Sequence, residues 1–235
     1  MVLQAIRTKV LIILCISIFS LKANAQVQFA CYAGVQATSA HYLVNDTKQP
    51  NKYKPGTMAG VAAKVEFDNQ LYFYPSVFYS LKGYKVTLNN PAFPPGEQAK
   101  SVDVTVHTIE AAPLLQYDFN KKAAHFFLRL GPSVDAIFRG WESVDTSHIS
   151  GQRATVYRPM VFAFTDYGRF TAQANLHFGY ETGKGLMFFA YYQYGIGSMN
   201  NRDDGPKIFH RILGVSLGWL FGKNPLVMDT KPINK

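Results

Sequence analysis

A segment of perfect alternation, residues 169–178, places the strongest constraint on how this chain can fold. Polar and apolar residues alternate there for ten positions without an exception. Successive side chains of a β-strand point to opposite faces, whereas an α-helix would spread both sets around its circumference. One face of the predicted strand carries Phe170, Ala172, Ala174, Leu176 and Phe178, and the other carries Arg169, Thr171, Gln173, Asn175 and His177. Ten residues are also enough for a tilted strand to cross a bilayer, which takes about 9 to 11.

Seven further segments show the same alternation, so the sequence predicts eight strands. The other seven are 27–38, 57–67, 71–84, 102–119, 125–138, 186–197 and 208–221. Segment 102–119 changes phase, because Val102, Val104 and Val106 alternate out of step with the apolar residues from Ile109 onward. We expect a β-bulge near His107 to bring both apolar sets onto one face.

The connections between the predicted strands alternate in length. Long ones lie near 39–56, 85–101, 139–166 and 198–207, and short ones near 68–70, 120–124 and 181–185. Outer-membrane barrels have an even number of strands, short periplasmic turns and longer extracellular loops. The predicted fold class is therefore all-β, an eight-stranded antiparallel up-and-down transmembrane β-barrel with both termini in the periplasm.

The first 25 residues have the features of a cleaved Sec signal peptide. Arg7 and Lys9 give a positive start, residues 10–21 form a short apolar run, and residues 23–25 read Ala-Asn-Ala. The apolar run is too short to cross a bilayer, which takes about 20 residues. We expect a signal peptide at 1–25, a barrel at 26–222 and a short periplasmic C-terminal tail at 223–235.

Alternation alone does not decide whether the apolar face points outward to lipid or inward, as in a soluble barrel of the lipocalin type. The polar faces carry charged side chains that can pair inside a narrow lumen. The apolar faces end in aromatic residues near the short turns, which is typical of a membrane-interface girdle. The chain also carries an export signal, and its mature part keeps one cysteine, Cys31, so it has no disulfide pair. These features favour lipid, and a soluble periplasmic ligand-binding barrel remains the alternative.

Four motifs resemble one known family. They are residues 29–35 (FACYAGV), 109–115 (IEAAPLL), 130–133 (LGPS) and 210–221, in that order along the chain. Together they are similar to the PorT-like outer-membrane β-barrel family of Bacteroidota. The chain departs from that pattern in having two alanines before Pro113 and a 14-residue tail after Phe221. The resemblance implies an outer-membrane barrel and no particular activity.

Five polar side chains on the inward faces are the candidate lumen network, namely Glu110, Arg129, Asp135, Arg169 and His177. The interior of an eight-stranded barrel is just wide enough to be filled by side chains. We therefore interpret these residues as a structural ion-pair network rather than an acid–base site. The histidines show no metal-ligand spacing, so neither a metal nor a cofactor is expected.

The long 139–166 connection is the candidate partner-binding loop, through Arg139, Trp141, Arg153 and Arg158. Such a loop can contact a surface partner or lipopolysaccharide phosphates. The same connection contains His148 and Ser150, and some outer-membrane lipid-modifying enzymes use a His-x-Ser pair as base and nucleophile. An ordinary polar loop explains these two residues more simply.

The expected function is that of an integral outer-membrane β-barrel without enzymatic activity, a structural element or a subunit of a surface or secretion assembly. Its expected partners are outer-membrane lipid and lipopolysaccharide, and proteins that meet the extracellular loops. Nucleic acid is not expected, because the positive charges are scattered and the chain is exported. The alternative functions are a lipid-modifying outer-membrane enzyme and a soluble periplasmic binding barrel.

Overall fold

The computed structural model describes residues 27–89, 99–147, 153–163, 166–203 and 205–222, which form eleven β-strands. The signal peptide and the tail predicted from the sequence lie outside these residues. The strands are β1 (Gln28–Val44), β2 (Thr47–Lys48), β3 (Asn51–Lys52), β4 (Lys54–Asp68), β5 (Leu71–Thr87), β6 (Ala99–Asp118), β7 (His125–Ser147), β8 (Arg153–Pro159), β9 (Phe170–Glu181), β10 (Leu186–Gly195) and β11 (Lys207–Phe221). Among the described residues, no helix has the length and apolar character needed to cross a membrane.

Eight of the strands form a closed antiparallel ring in the order β1, β4, β5, β6, β7, β9, β10 and β11. The ring closes where β11 pairs with β1, from Phe29 opposite Phe221 to Leu43 opposite Lys207. Closure leaves no open strand edge, so the backbone amides of the wall pair within it, as hydrocarbon requires. The predicted fold class, an eight-stranded up-and-down barrel, is confirmed.

The two ends of the barrel differ. One end, here called the turn end, holds Gln28, Phe221 and the three short connections 69–70, 119–124 and 182–185. The opposite end, the loop end, holds the longer connections and the short strands β2, β3 and β8, which extend the wall beside β1, β5 and β7. Because outer-membrane barrels have their short turns in the periplasm, we expect the loop end to be the extracellular end.

Apolar side chains cover the outside of the ring, and the polar side chains of the ring strands lie on its inside together with further apolar ones. On β9, Phe170 and Leu176 are 68% and 49% exposed, whereas Gln173 and His177 are 0% and 3% exposed. The same alternation runs through the other ring strands. A soluble barrel has the reverse arrangement, so the outward apolar band is the surface that meets lipid.

Several strands are longer than a membrane crossing needs. β1 has 17 residues, β6 has 20 and β7 has 23, whereas about 9 to 11 suffice for a tilted transmembrane strand. The surplus lies at the loop end. The upper part of the wall therefore projects beyond the hydrocarbon into water.

The prediction that a β-bulge near His107 shifts the phase of β6 is wrong. β6 pairs with β5 in one unbroken register, and Val102, Val104 and Val106 are all buried in the lumen. The bulge belongs to β7, where Phe138 has no partner between the pairs His107–Arg139 and Thr108–Ile137. Above the membrane the outside of the wall faces water, so apolar residues turn inward while the backbone of β6 keeps its phase.

The lumen is packed in alternating polar and apolar layers. The inward residues of β6 contribute to each of these layers. From the turn end to the loop end, β6 contributes Asp118 and Gln116, then Leu114 and Ala112, then Glu110 and Thr108, and finally the three valines. The lower apolar layer contains Tyr32, Tyr74, Phe78, Leu114, Phe127 and Phe189, among others. The upper apolar layer contains Tyr42, Tyr84, Val104, Ile137, Met160 and Met199, among others.

Candidate functional site: the filled lumen and the loop-end rim

The Lys82 cluster, formed by Lys82, Glu110 and Asp135, lies between the two apolar layers. Lys82 Nζ is 2.5 Å from Glu110 Oε1 and 2.8 Å from Asp135 Oδ2, and all three side chains are 0% exposed. The three residues come from the adjacent strands β5, β6 and β7 and share the inward face. A buried charge is tolerated when it is paired and hydrogen-bonded, so each ion here depends on the others.

Hydroxyl and amide donors complete the coordination of the two carboxylates. Gln173 Nε2 donates to Asp135 Oδ2 at 3.1 Å, and the Thr171 hydroxyl donates to Asp135 Oδ1. Gln193 Nε2 donates to Glu110 Oε2 at 3.3 Å and to Asn175 Oδ1 at 2.8 Å. These donors offset the second negative charge, which Lys82 alone does not balance.

A second ionic group, the Lys64 cluster, lies at the turn end. Lys64 Nζ is 2.8 Å from Asp118 Oδ2 and 2.7 Å from Glu181 Oε2. Gln116 Nε2 donates to Asp118 Oδ1 at 2.6 Å and to Glu181 Oε1 at 2.8 Å. His125 Nε2 lies 2.9 Å from Asp118 Oδ2 and 3.2 Å from Glu181 Oε2. The cluster ties β4, β6, β7 and β9 together across the lumen.

Asp118, His125 and Glu181 are of the types that bind metals, and one ligand atom from each lies within 4.8 Å of the others. No metal site was expected from the sequence. The ammonium of Lys64 already bridges both carboxylates of this group at hydrogen-bond distance. A metal ion would have to replace that internal cation, so the donor set fits a lysine-bridged ion network better than a metal centre.

Arg129 joins the Lys64 cluster to the lower apolar layer. Its side chain is 0% exposed, and Nη2 is 3.3 Å from Glu181 Oε1. Its guanidinium carbon lies 3.7 Å from the ring centroid of Tyr74 and 4.0 Å from that of Phe127. A planar guanidinium can stack on aromatic faces while its edge hydrogen-bonds, so Arg129 fills the lumen at this level.

On the inner face of the wall, a tyrosine of β10 reaches past β11 to a residue of β1. Tyr191 donates its hydroxyl to Gln36 Oε1 at 2.8 Å. Its ring lies over Gly214, where an added Cβ would be 2.3 Å from the ring carbon Cζ. Gly214 therefore provides the gap through which Tyr191 reaches β1, since any larger residue there would collide with the ring.

Four of the five predicted lumen residues lie inside the barrel. Glu110, Arg129 and Asp135 belong to the ion clusters described above, whereas His177 stacks on Phe189 with 5.2 Å between ring centroids and an interplanar angle of 8°. The assignment of Arg169 to the lumen is wrong, because this side chain is exposed. β9 begins at Phe170, so the strand alternation that predicted an inward side chain does not extend to position 169.

The predicted 139–166 loop is largely strand. β7 continues to Ser147, and β8 pairs with it from Trp141–Pro159 to Ser147–Arg153. The guanidinium carbon of Arg139 lies 4.2 Å from the Trp141 ring centroid on the outer surface. The side chain of Arg153, together with His148 and Ser150, lies outside the part of the chain that the structure describes.

Arg158 is paired rather than free for a partner. Its Nε is 2.5 Å from Glu142 Oε1, and Tyr167 donates its hydroxyl to Glu142 Oε2 at 3.0 Å. Burial, together with the nearby charge of Glu142, raises the pKa of Tyr167 well above its ordinary value, so the hydroxyl stays a donor. Glu142, Arg158 and Tyr167 thus form a polar cap over the upper apolar layer.

Sequence reasoning did not identify Asp118 and Glu181 as members of a lumen cluster. Strand parity could have found both, because each lies an even number of residues from an inward polar residue of its own strand, Glu110 on β6 and His177 on β9. Each also ends its strand at a short turn.

Several solved structures are similar to this chain at low sequence identity. A search of curated proteins finds no match. Among solved structures, Ail, the attachment invasion locus protein of Yersinia pestis, is 13% identical with a TM-score of 0.39, over 83% of this chain and 99% of Ail. Neisserial surface protein A is 15% identical with a TM-score of 0.40, over 81% and 96% of the two chains. OprG from Pseudomonas aeruginosa is 13% identical with a TM-score of 0.42, over 85% and 98%.

A family model shows the family to which the chain belongs. The model described as "Outer membrane protein beta-barrel domain" matches residues 22–201, which is more than half of the chain. The match agrees with the closed ring, the outward apolar band and the filled polar lumen. The chain therefore belongs to the outer-membrane protein β-barrel domain family and is an integral protein of the outer membrane.

Proposed function

We propose that this protein is a closed, non-enzymatic barrel that serves as a structural element or as a subunit of a surface or secretion assembly. The observation that carries the proposal is the filled lumen, which holds two levels of cross-strand ion pairs, the Lys82 cluster and the Lys64 cluster, the second of which includes Arg129 through Glu181. Side chains that bond to one another across the lumen hold the strands together and leave no path for solute.

The contact surface in this proposal is the loop-end rim. Arg139 and Trp141 stack on the outside of β7, and Tyr157 on β8 is 69% exposed. Exposed aromatic and arginine side chains are the residue types that anchor protein interfaces. Outer-membrane lipid and lipopolysaccharide surround the same rim and are the second class of partner that we propose.

Planar bilayer recording tests the closed lumen. Purified protein should show no stable open channel, since the two ion clusters and the two apolar layers fill the interior. A reproducible, ohmic, porin-sized conductance would show that the lumen opens or that the chain assembles into a pore, and the function would then be transport.

Lipid A mass spectra from wild-type and deletion strains test the absence of enzymatic activity. The expected spectra are identical. A change in acyl-chain number that returns with the wild-type gene, but not with a Ser150→Ala variant, would instead support the lipid-modifying alternative. Crosslinking on whole cells followed by capture of the full chain then identifies its protein partner.

A further inference from the structure

A groove of about 500 Å³ opens at the loop end of the barrel, beside the start of β9. Its lining includes Phe162, Tyr167, Arg169, Phe170 and Asn201, and we call it the Arg169 groove. The backbone holds its floor in place, because Ile137 N donates to Arg169 O at 2.7 Å and Gly168 N donates to Met199 O at 2.7 Å. The groove therefore rests on a hydrogen-bonded part of the wall.

The guanidinium of Arg169 is exposed and forms no ion pair or hydrogen bond with any described residue. Its central carbon lies 5.3 Å from the ring centroid of Phe162. Two other cations at the same end are neutralised: Lys54 pairs with Asp103, and Lys207 Nζ is 2.8 Å from Asp46 Oδ1. Arg169 thus presents five N–H donors to the groove.

The groove meets the upper edge of the lipid-facing surface. Phe170 lines the groove and is also the first outward residue of β9, at 68% exposure. Below it the outward face continues through Ala172, Ala174 and Leu176. On the neighbouring strand β7, Phe138 is 53% exposed. An unpaired cation directly above an apolar wall lies at the depth where lipid headgroups meet acyl chains.

We propose that the Arg169 groove binds the phosphate of an anionic outer-membrane lipid, whose acyl chain lies along the outer face of β9. Guanidinium and phosphate form strong bidentate hydrogen bonds, and the stacking on Phe162 orients the guanidinium before the lipid arrives. The small side chains of Ala172 and Ala174 leave a shallow track for the chain beneath Phe170. The inference rests on the proposed function only in taking outer-membrane lipid as a partner.

Native mass spectrometry of the full mature chain in neutral detergent tests the site. The probes are monophosphorylated lipid A and the same lipid without its phosphate. Wild-type protein should bind the phosphorylated lipid about 10-fold more tightly than the dephosphorylated one, a typical effect of a charge-assisted hydrogen bond. Arg169→Ala should remove that preference, and Arg169→Lys should restore part of it.

Two control variants separate the groove from general charge and general hydrophobicity. Lys207→Ala removes a cation at the same end that is already paired, so it should change the affinity by less than about 2-fold. Phe170→Ala should weaken binding of the lipid but leave the preference for phosphate intact. Heat-modified migration on SDS gels establishes that each variant is folded before its binding is measured.

Equal binding of phosphorylated lipid by wild type and Arg169→Ala would overturn the proposal. So would full displacement of the lipid by millimolar inorganic phosphate, which would indicate a soluble-anion site. Conductance measured on the same preparations is independent of these results. A channel in the wild-type protein would refute the closed barrel without affecting the lipid site, and a loss of lipid preference would leave the closed barrel standing.

Discussion

Replacing Lys82 with methionine tests whether the lumen network is structural. The change keeps a long side chain but removes the cation that lies 2.5 Å from Glu110 and 2.8 Å from Asp135. Both carboxylates are 0% exposed and would be left in the barrel without their positive partner. Removing one partner of a buried ion pair costs about 3–5 kcal/mol, so Lys82→Met should lower the free energy of unfolding by that amount.

The same strand offers a matched control. Lys85 lies three residues further along β5, its side chain is 49% exposed, and its Nζ is 4.0 Å from Asp103 Oδ2. Surface pairs of this kind contribute about 0–1 kcal/mol, so Lys85→Met should change the stability by less than 1 kcal/mol. Urea unfolding from lipid vesicles, followed by fluorescence of Trp141 and Trp219 and by gel mobility, measures both variants.

A compensating variant identifies the cause of the loss. In the Lys82→Met background, Glu110→Gln with Asp135→Asn replaces the stranded charges by neutral amides of similar size. This triple variant should recover most of the lost stability, because a neutral polar group is far cheaper to bury than a charge. The reasoning would be refuted by a Lys82→Met variant no less stable than Lys85→Met, or by a triple variant less stable than Lys82→Met.

Two further substitution pairs test the position of the lipid band and the phase of β6. Leu176→Arg, on the outward face of β9, should lower the free energy of unfolding by about 2–4 kcal/mol. The control Thr155→Arg, on the exposed face of β8, should lower it by less than about 0.5 kcal/mol. Similar losses of stability in both variants would mean that lipid does not cover β9. Val104→Asp buries a carboxylate at a side chain that is 0% exposed and should cost about 3 kcal/mol or more. Thr105→Asp, one residue on, places its carboxylate beside Lys54 and should cost less than about 1 kcal/mol. The reverse order for these last two variants would show that β6 has the slipped phase after all.

The eight ring strands could be predicted because membrane strands must alternate. A residue such as Leu176 has to face lipid and its neighbour Asn175 has to face the lumen, so the side-chain order alone gives the strand and its two faces. The short connections predicted the strand order, because strands joined by a few residues must be neighbours in the sheet. The inward positions of Glu110, Arg129, Asp135 and His177 followed from the same alternation.

Two of the corrected predictions concern positions at which the alternation rule does not hold. The valines of β6 lie where the wall projects above the membrane. Arg169 lies immediately before the start of β9. Apolar side chains of the wall point outward only where hydrocarbon surrounds the barrel. Val104 lies above that level, where water surrounds the wall, so its side chain points into the lumen. At Arg169 the strand has not yet started, so a pattern that continues in the sequence does not continue in space.

The sequence by itself determined the strands, their faces and the closed barrel, because these follow from backbone geometry and from the absence of water in a bilayer. It did not determine which inward charges meet. Lys64 and Glu181 are 117 residues apart and become partners only when the strands close and their stagger sets the levels of the lumen. The position of the bulge at Phe138, the Lys64 cluster and the groove at Arg169 were decided in the same way by tertiary structure, since each depends on distances between strands that no local pattern encodes.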